Sequence, residues 1–168
     1  YSAMPDAYDF LVVVTDFDFA FLEAGVSGVY FGIRNDTLGI GVQPFDAGAS
    51  YGSAARLQGL IDLGSFAGAG PHLDADELRE KLSVLAHEVA HRSLVDARFI
   101  DEFGQPSDEL LGRDDAHWSF FFSSDGSVMY GSSWRDNGNG TFTADEVRQR
   151  YGNLDLYLMG LAAPAEVA

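Results

Sequence analysis

Hydrophobic and polar positions divide the chain into a strand-rich first third, one strongly patterned helix and a mixed remainder. Asp9–Thr15 is a continuous apolar run closed by polar residues, which predicts a buried strand. Val26–Arg34 and Leu38–Gln43 are short, β-branched and punctuated by glycine, and Asn35-Asp36 between them predicts a turn. Leu57–Leu63 fits strand or helix, because periodicity over so short a run does not separate them. Phe66–Pro71 reads as a Gly/Ala/Pro loop.

The clearest element begins at Asp74. An aspartate there suits an N-cap, and Glu77 three residues on completes a capping-box pattern, with Leu73 and Leu78 at staple spacing. Leu78, Leu82, Leu85 and Val89 then fall within roughly 60° of one another at 100° per residue. They predict a core-facing stripe on a helix from Asp74 to about Ser93. Beyond it, Arg98–Phe103 and Glu109–Gly112 flank a Gly104-Gln105-Pro106 turn signal and predict a hairpin. Trp118–Ser123 is an aromatic, strand-like run, and Asp125-Gly126 and Asp136–Gly140 are turn signals. Asp145–Tyr151 and Leu154–Leu161 fit helices.

Composition narrows the classes. At 168 residues the chain fits one compact domain, 1–168, with enough volume for a core. Acidic residues number 26 against 10 basic ones, for a formal charge of −16. That excess opposes nucleic acid or an anionic membrane as partner, since both select a basic face. No apolar run approaches the ~18 residues of a membrane helix, so no membrane insertion is expected. No cysteine is present, which removes disulfide scaffolds and thiolate metal sites. The acidity suits an extracellular protein, and a start at Tyr1 without a leader suits a piece of a longer secreted one.

The helix carries the chemistry. His87-Glu88-Val89-Ala90-His91 is an H-E-x-x-H motif. At i and i+4 the imidazoles lie one turn apart on nearly one face and can share a zinc ion, with Glu88 beside them to take a proton from the water the metal carries. Both lie roughly 180–220° from the Leu78 stripe, on a face predicted to look into a cleft. A catalytic zinc needs a third protein ligand. His72 precedes the helix, about 22 Å from His87 at 1.5 Å per residue, too far to fold back locally. His117, in Asp114-Asp115-Ala116-His117-Trp118-Ser119, has chain enough to return and is the favoured third ligand. Asp114, Asp115, Glu109 and Glu102 follow as carboxylate alternatives.

These residues resemble the zincin metallopeptidases. Ser127-Val128-Met129-Tyr130-Gly131, after His117, looks like the Met-turn of the metzincins, in which a methionine lies under the metal. Metzincins continue the motif to a glycine and a third histidine, where this chain has Leu94 and Ala97, so the third ligand is displaced to a later segment. The resemblance covers residues 74–131. It implies an α+β zincin-like fold: a twisted, mostly N-terminal β-sheet packed on a long active-site helix, then an irregular C-terminal subdomain. It also implies a zinc metallopeptidase, an endopeptidase before an exopeptidase, acting on protein or peptide. The alternative is a zincin-fold binding or adhesion module with little activity.

Three further readings complete the picture. Tyr130 is the first candidate to stabilise an oxyanion, through its place after Met129, with Tyr151 and Tyr157 behind it. Within Arg135–Glu146, residues Asn137, Asn139, Gly140 and Glu146 fit positions of a Ca2+ loop, but Arg135 stands where the first aspartate belongs, and a tight Asn-Gly hairpin is favoured. Leu57–Leu63 is expected to hold substrate by strand addition.

Overall fold

The structure, a computed structural model, describes residues 5–66, 73–93, 97–124, 126–145 and 150–167. It is mixed α and β, in two compact units: Tyr1–Thr37 with Gln43–Arg92, and Leu38–Val42 with Ser93–Ala168. Among the described residues no helix is long and apolar enough to cross a membrane.

The first unit holds strands β1 (Phe10–Thr15), β2 (Val29–Gly32), β3 (Arg34–Asn35), β4 (Phe45–Asp46) and β5 (Gly59–Ser65), and helix α1 (Ala75–Ala90). Strands β1, β5 and β2 form one sheet with β5 in the centre, parallel to β1 and antiparallel to β2. Alternation explains the choice of strand for β5: Gly59, Ile61 and Leu63 are buried on one face. Because β5 is paired along both edges, its backbone groups are already used, and the expected addition of substrate to Leu57–Leu63 is ruled out. The strand predicted at Asp9–Thr15 forms, but as an edge, with Val12, Val13 and Val14 36–50% exposed. Its apolar run marks strand propensity without two-sided burial.

Of two neighbouring short stretches, one differs from expectation and one does not, each for a local reason. Leu38–Gln43 forms no strand, because Gly39 and Gly41 both take left-handed backbone, with φ 87° and 80°. The turn expected at Asn35-Asp36 forms, and it begins on Asn35, the last residue of β3. Its side-chain oxygen accepts the Thr37 N–H at 3.0 Å, closing an Asx turn.

Helix α1 starts as predicted. The Asp74 carboxylate accepts from the Asp76 and Glu77 N–H groups, and the Glu77 carboxylate accepts from the Asp74 N–H, all at 2.9 Å. The predicted core stripe is corrected: Leu78 and Leu82 are 45% and 53% exposed. The face toward the sheet is instead Lys81, Val84 and Glu88. Lys81 Nζ donates to the carbonyls of Leu63 and Ser65, and Val84 and Glu88 press on Gly28, just before β2. A lysine stem covers apolar surface while its ammonium finds carbonyl partners, so counting leucines picked the wrong side. Arg92 holds the end of the helix, donating to Asp36 Oδ1, Thr37 Oγ1 and Gln58 Oε1 at 2.9–3.3 Å.

The second unit holds β6 (Phe99–Ile100), β7 (Pro106–Ser107), β8 (Trp118–Ser123), β9 (Tyr130–Asp136), β10 (Phe142–Asp145) and α2 (Asn153–Leu158). The hairpin predicted after Arg98 is the β6–β7 pair, its turn organised by the Asp101 carboxylate accepting from Phe103 and Gln105; Glu109–Gly112 is not part of it. Strands β10, β9 and β8 form a three-stranded sheet, more order than the irregular subdomain expected. Of the two predicted C-terminal helices, the second is α2. The first, at Asp145–Tyr151, begins on a strand residue, and 146–149 lie outside the described residues.

Candidate metal centre

His87 and His91 sit at the C-terminal end of α1. Helical spacing sets their rings edge to face, with centroids 4.8 Å apart and the two Nε2 atoms at 3.2 Å. Two zinc–nitrogen bonds of ~2.0–2.1 Å at a tetrahedral angle would separate their nitrogens by about 3.3 Å. The helical pair already has that spacing.

His117 is the third member. Among the described residues, His87, His91 and His117 form the group that could hold a metal, with one ligand atom from each lying within 4.8 Å of the others. His117 is 6% exposed, and its Nδ1 lies 2.9 Å from the Arg113 carbonyl oxygen. A carbonyl can only accept, so Nδ1 carries the proton and Nε2 is the unprotonated nitrogen; it faces Arg113 Nη2 at 3.4 Å, a donor that a metal on Nε2 would have to displace. The donor set, three imidazoles without thiolate, suits zinc among other transition ions.

Asp114, Asp115, Glu109 and Glu102 are exposed and stand outside the histidine group. His72 lies outside the described residues.

Glu88 is 5% exposed, buried where α1 meets the chain before β2. Sequence reading did not single out Gly28, which makes that burial possible. A Cβ on Gly28 would come within 2.8 Å of Val84 Cγ1 and 3.0 Å of Glu88 Oε1. Gly28→Ala is therefore expected to destabilise the first unit by ~1–3 kcal/mol, the usual cost of overpacking, and to displace the Glu88 carboxylate. Denaturant unfolding of the purified variant measures the first effect; a midpoint equal to that of the parent protein would refute it.

The turn expected at Ser127–Gly131 is present. The Tyr130 N–H donates to the Ser127 carbonyl at 3.2 Å, and Met129 is fully buried. The Trp118 N–H donates to the Met129 carbonyl at 2.9 Å, which ties this turn to the residue following His117. The Tyr130 ring packs on His117 with centroids 4.8 Å apart and a tilt of 31°, and the Arg113 guanidinium carbon lies 5.4 Å from the same ring centre. Tyr151 and Tyr157 occupy other positions near and in α2. Burial pushes the Tyr151 phenol above its ordinary pKa, and the Asp155 carboxylate adds to that.

A buried carboxylate beneath this turn also escaped sequence reading. Asp155 of α2 is 1% exposed and accepts from Trp118 Nε1, Ser127 Oγ and the Gly152 N–H at 2.5–2.6 Å. Its one outward sign is a single acid inside the apolar run Asn153–Leu161.

The segment weighed as a calcium loop forms the β9–β10 hairpin. Asn137 Nδ2 donates to Thr141 Oγ1 and Thr143 Oγ1, and the Asn139 side-chain oxygen accepts from Thr141, so these amides brace the turn. Glu146 lies outside the described residues.

Compared with known proteins, the chain matches no family model, no curated protein and no solved structure.

Proposed function

We propose that the chain is a zinc-dependent peptidase domain of zincin type, with His87, His91 and His117 as metal ligands and Glu88 as general base. The observation that carries this reading is the histidine group itself, drawn from a helix motif and from a residue 26 positions later, with the motif's glutamate buried in the same helix. Zinc held there supplies a Lewis acid that polarises a peptide carbonyl and brings the pKa of a water toward ~7. Glu88 takes the proton of the attacking water and delivers it to the nitrogen of the leaving amine. Its burial protects that proton from exchange with bulk solvent. The Arg113 carbonyl holds His117 in the ligating tautomer. Tyr130, fixed on the His117 ring, is the candidate donor to the negative charge that develops on the carbonyl oxygen.

Purified chain is expected to carry one zinc ion per molecule and to hydrolyse a general protein substrate such as casein. A chelator should abolish the hydrolysis and added zinc should restore it. Protein without stoichiometric metal would sink the metal site. Metal without hydrolysis would leave a binding module in its place.

A further inference from the structure

The carboxylate of Asp155 belongs to no step of the chemistry above, yet it is one of the most deeply buried groups described. A charge kept out of water needs several well-placed donors, and Asp155 has three: the Trp118 indole, the Ser127 hydroxyl and the Gly152 N–H. The first two lead to the metal site by short covalent steps. Trp118 follows His117 directly. Ser127 Oγ in turn accepts the Met129 N–H at 2.9 Å, and the Met129 carbonyl accepts the Trp118 N–H. A closed ring of hydrogen bonds therefore runs from Asp155 through Ser127, Met129 and Trp118 back to Asp155.

We propose that Asp155 is a positioning residue for metal binding: its carboxylate, accepting from three donors, locks Trp118 to the Ser127–Tyr130 turn and so fixes the backbone from which His117 reaches the metal. This inference rests on the reading of His117 as a ligand. Both oxygens matter, because the Trp118 indole uses Oδ1 while Ser127 and Gly152 converge on Oδ2. An asparagine of the same shape would place an NH2 group at one of the two oxygens and could not accept all three bonds.

The test uses Co2+ as the probe, added to the whole chain and followed by its visible absorption, with Asp155→Asn, His117→Ala and the double variant alongside the parent protein. Asp155→Asn is expected to bind Co2+ ~10–100-fold more weakly, the usual effect of losing a group behind a ligand, with a spectrum shifted toward that of His117→Ala. In the His117→Ala background the same substitution should change Co2+ affinity by less than twofold, because there is no third ligand left to position. An equal loss in both backgrounds would mean general destabilisation and would overturn the proposal, as would unchanged affinity in Asp155→Asn. If circular dichroism shows that Asp155→Asn does not fold, the same cycle on Trp118→Phe, which removes only the indole donor, decides between these outcomes. Failure of the parent protein to take up Co2+ would overturn the metal reading itself, and is distinct from uptake that Asp155→Asn leaves unaltered.

Discussion

Glu88→Gln is expected to lower hydrolysis by ~10²–10⁴-fold while leaving zinc content and fold unchanged. The substitution keeps the volume and one carbonyl oxygen, so the packing of residue 88 against Gly28 and Val84 survives. It removes the ability to accept and return a proton. That loss raises the barrier by about 3–5 kcal/mol, at 1.36 kcal/mol per tenfold. The metal should stay, because in the proposed site the ligand atoms are those of the three histidines, and this carboxylate is the base. Zinc analysis and casein turnover on the same preparation separate the outcomes. Zinc lost with activity would make Glu88 a ligand, and full activity in the variant would remove it as the base.

His117→Ala carries the second large effect, on affinity. Removing one of three protein ligands should weaken zinc binding by more than the ~10–100-fold typical of changes behind the ligands. The helix pair alone remains, and two imidazoles leave half of a tetrahedral ion to water. Competition against a chromophoric chelator measures the change. Affinity within twofold of the parent protein would exclude His117 from the site and reopen the choice among the exposed acids.

What could be read in advance was what lies close along the chain. The α1 start needs only Asp74 and Glu77, and its bonds span two or three residues. The His87–His91 pair is likewise set by one turn of helix. His117 was accessible by scarcity, as one of four histidines in the chain. The sheet-facing side of α1 was misread because a buried glutamate and a lysine reaching for carbonyls leave no hydrophobic trace. Asp155 was invisible for another reason: its partners Ser127 and Trp118 stand 28 and 37 residues away, beyond any periodic pattern. Local physics thus announced the helix and its histidine pair, and tertiary contacts decided what surrounds them.

Among the described residues, the non-glycine positions with left-handed backbone are Asp114, Asp115 and Tyr130, at φ 60°, 53° and 74°. Aspartate tolerates that region, whereas a bulky tyrosine is held there at a cost of order 1–3 kcal/mol. All three flank His117 or follow Met129. Glycine at 130 would relax the backbone, and would also delete the ring that packs on His117. A library screened for heat resistance alone should therefore accumulate glycine at this position, while one screened for turnover should keep the tyrosine. Directed evolution for durability and for catalytic rate would pull this one turn in opposite directions.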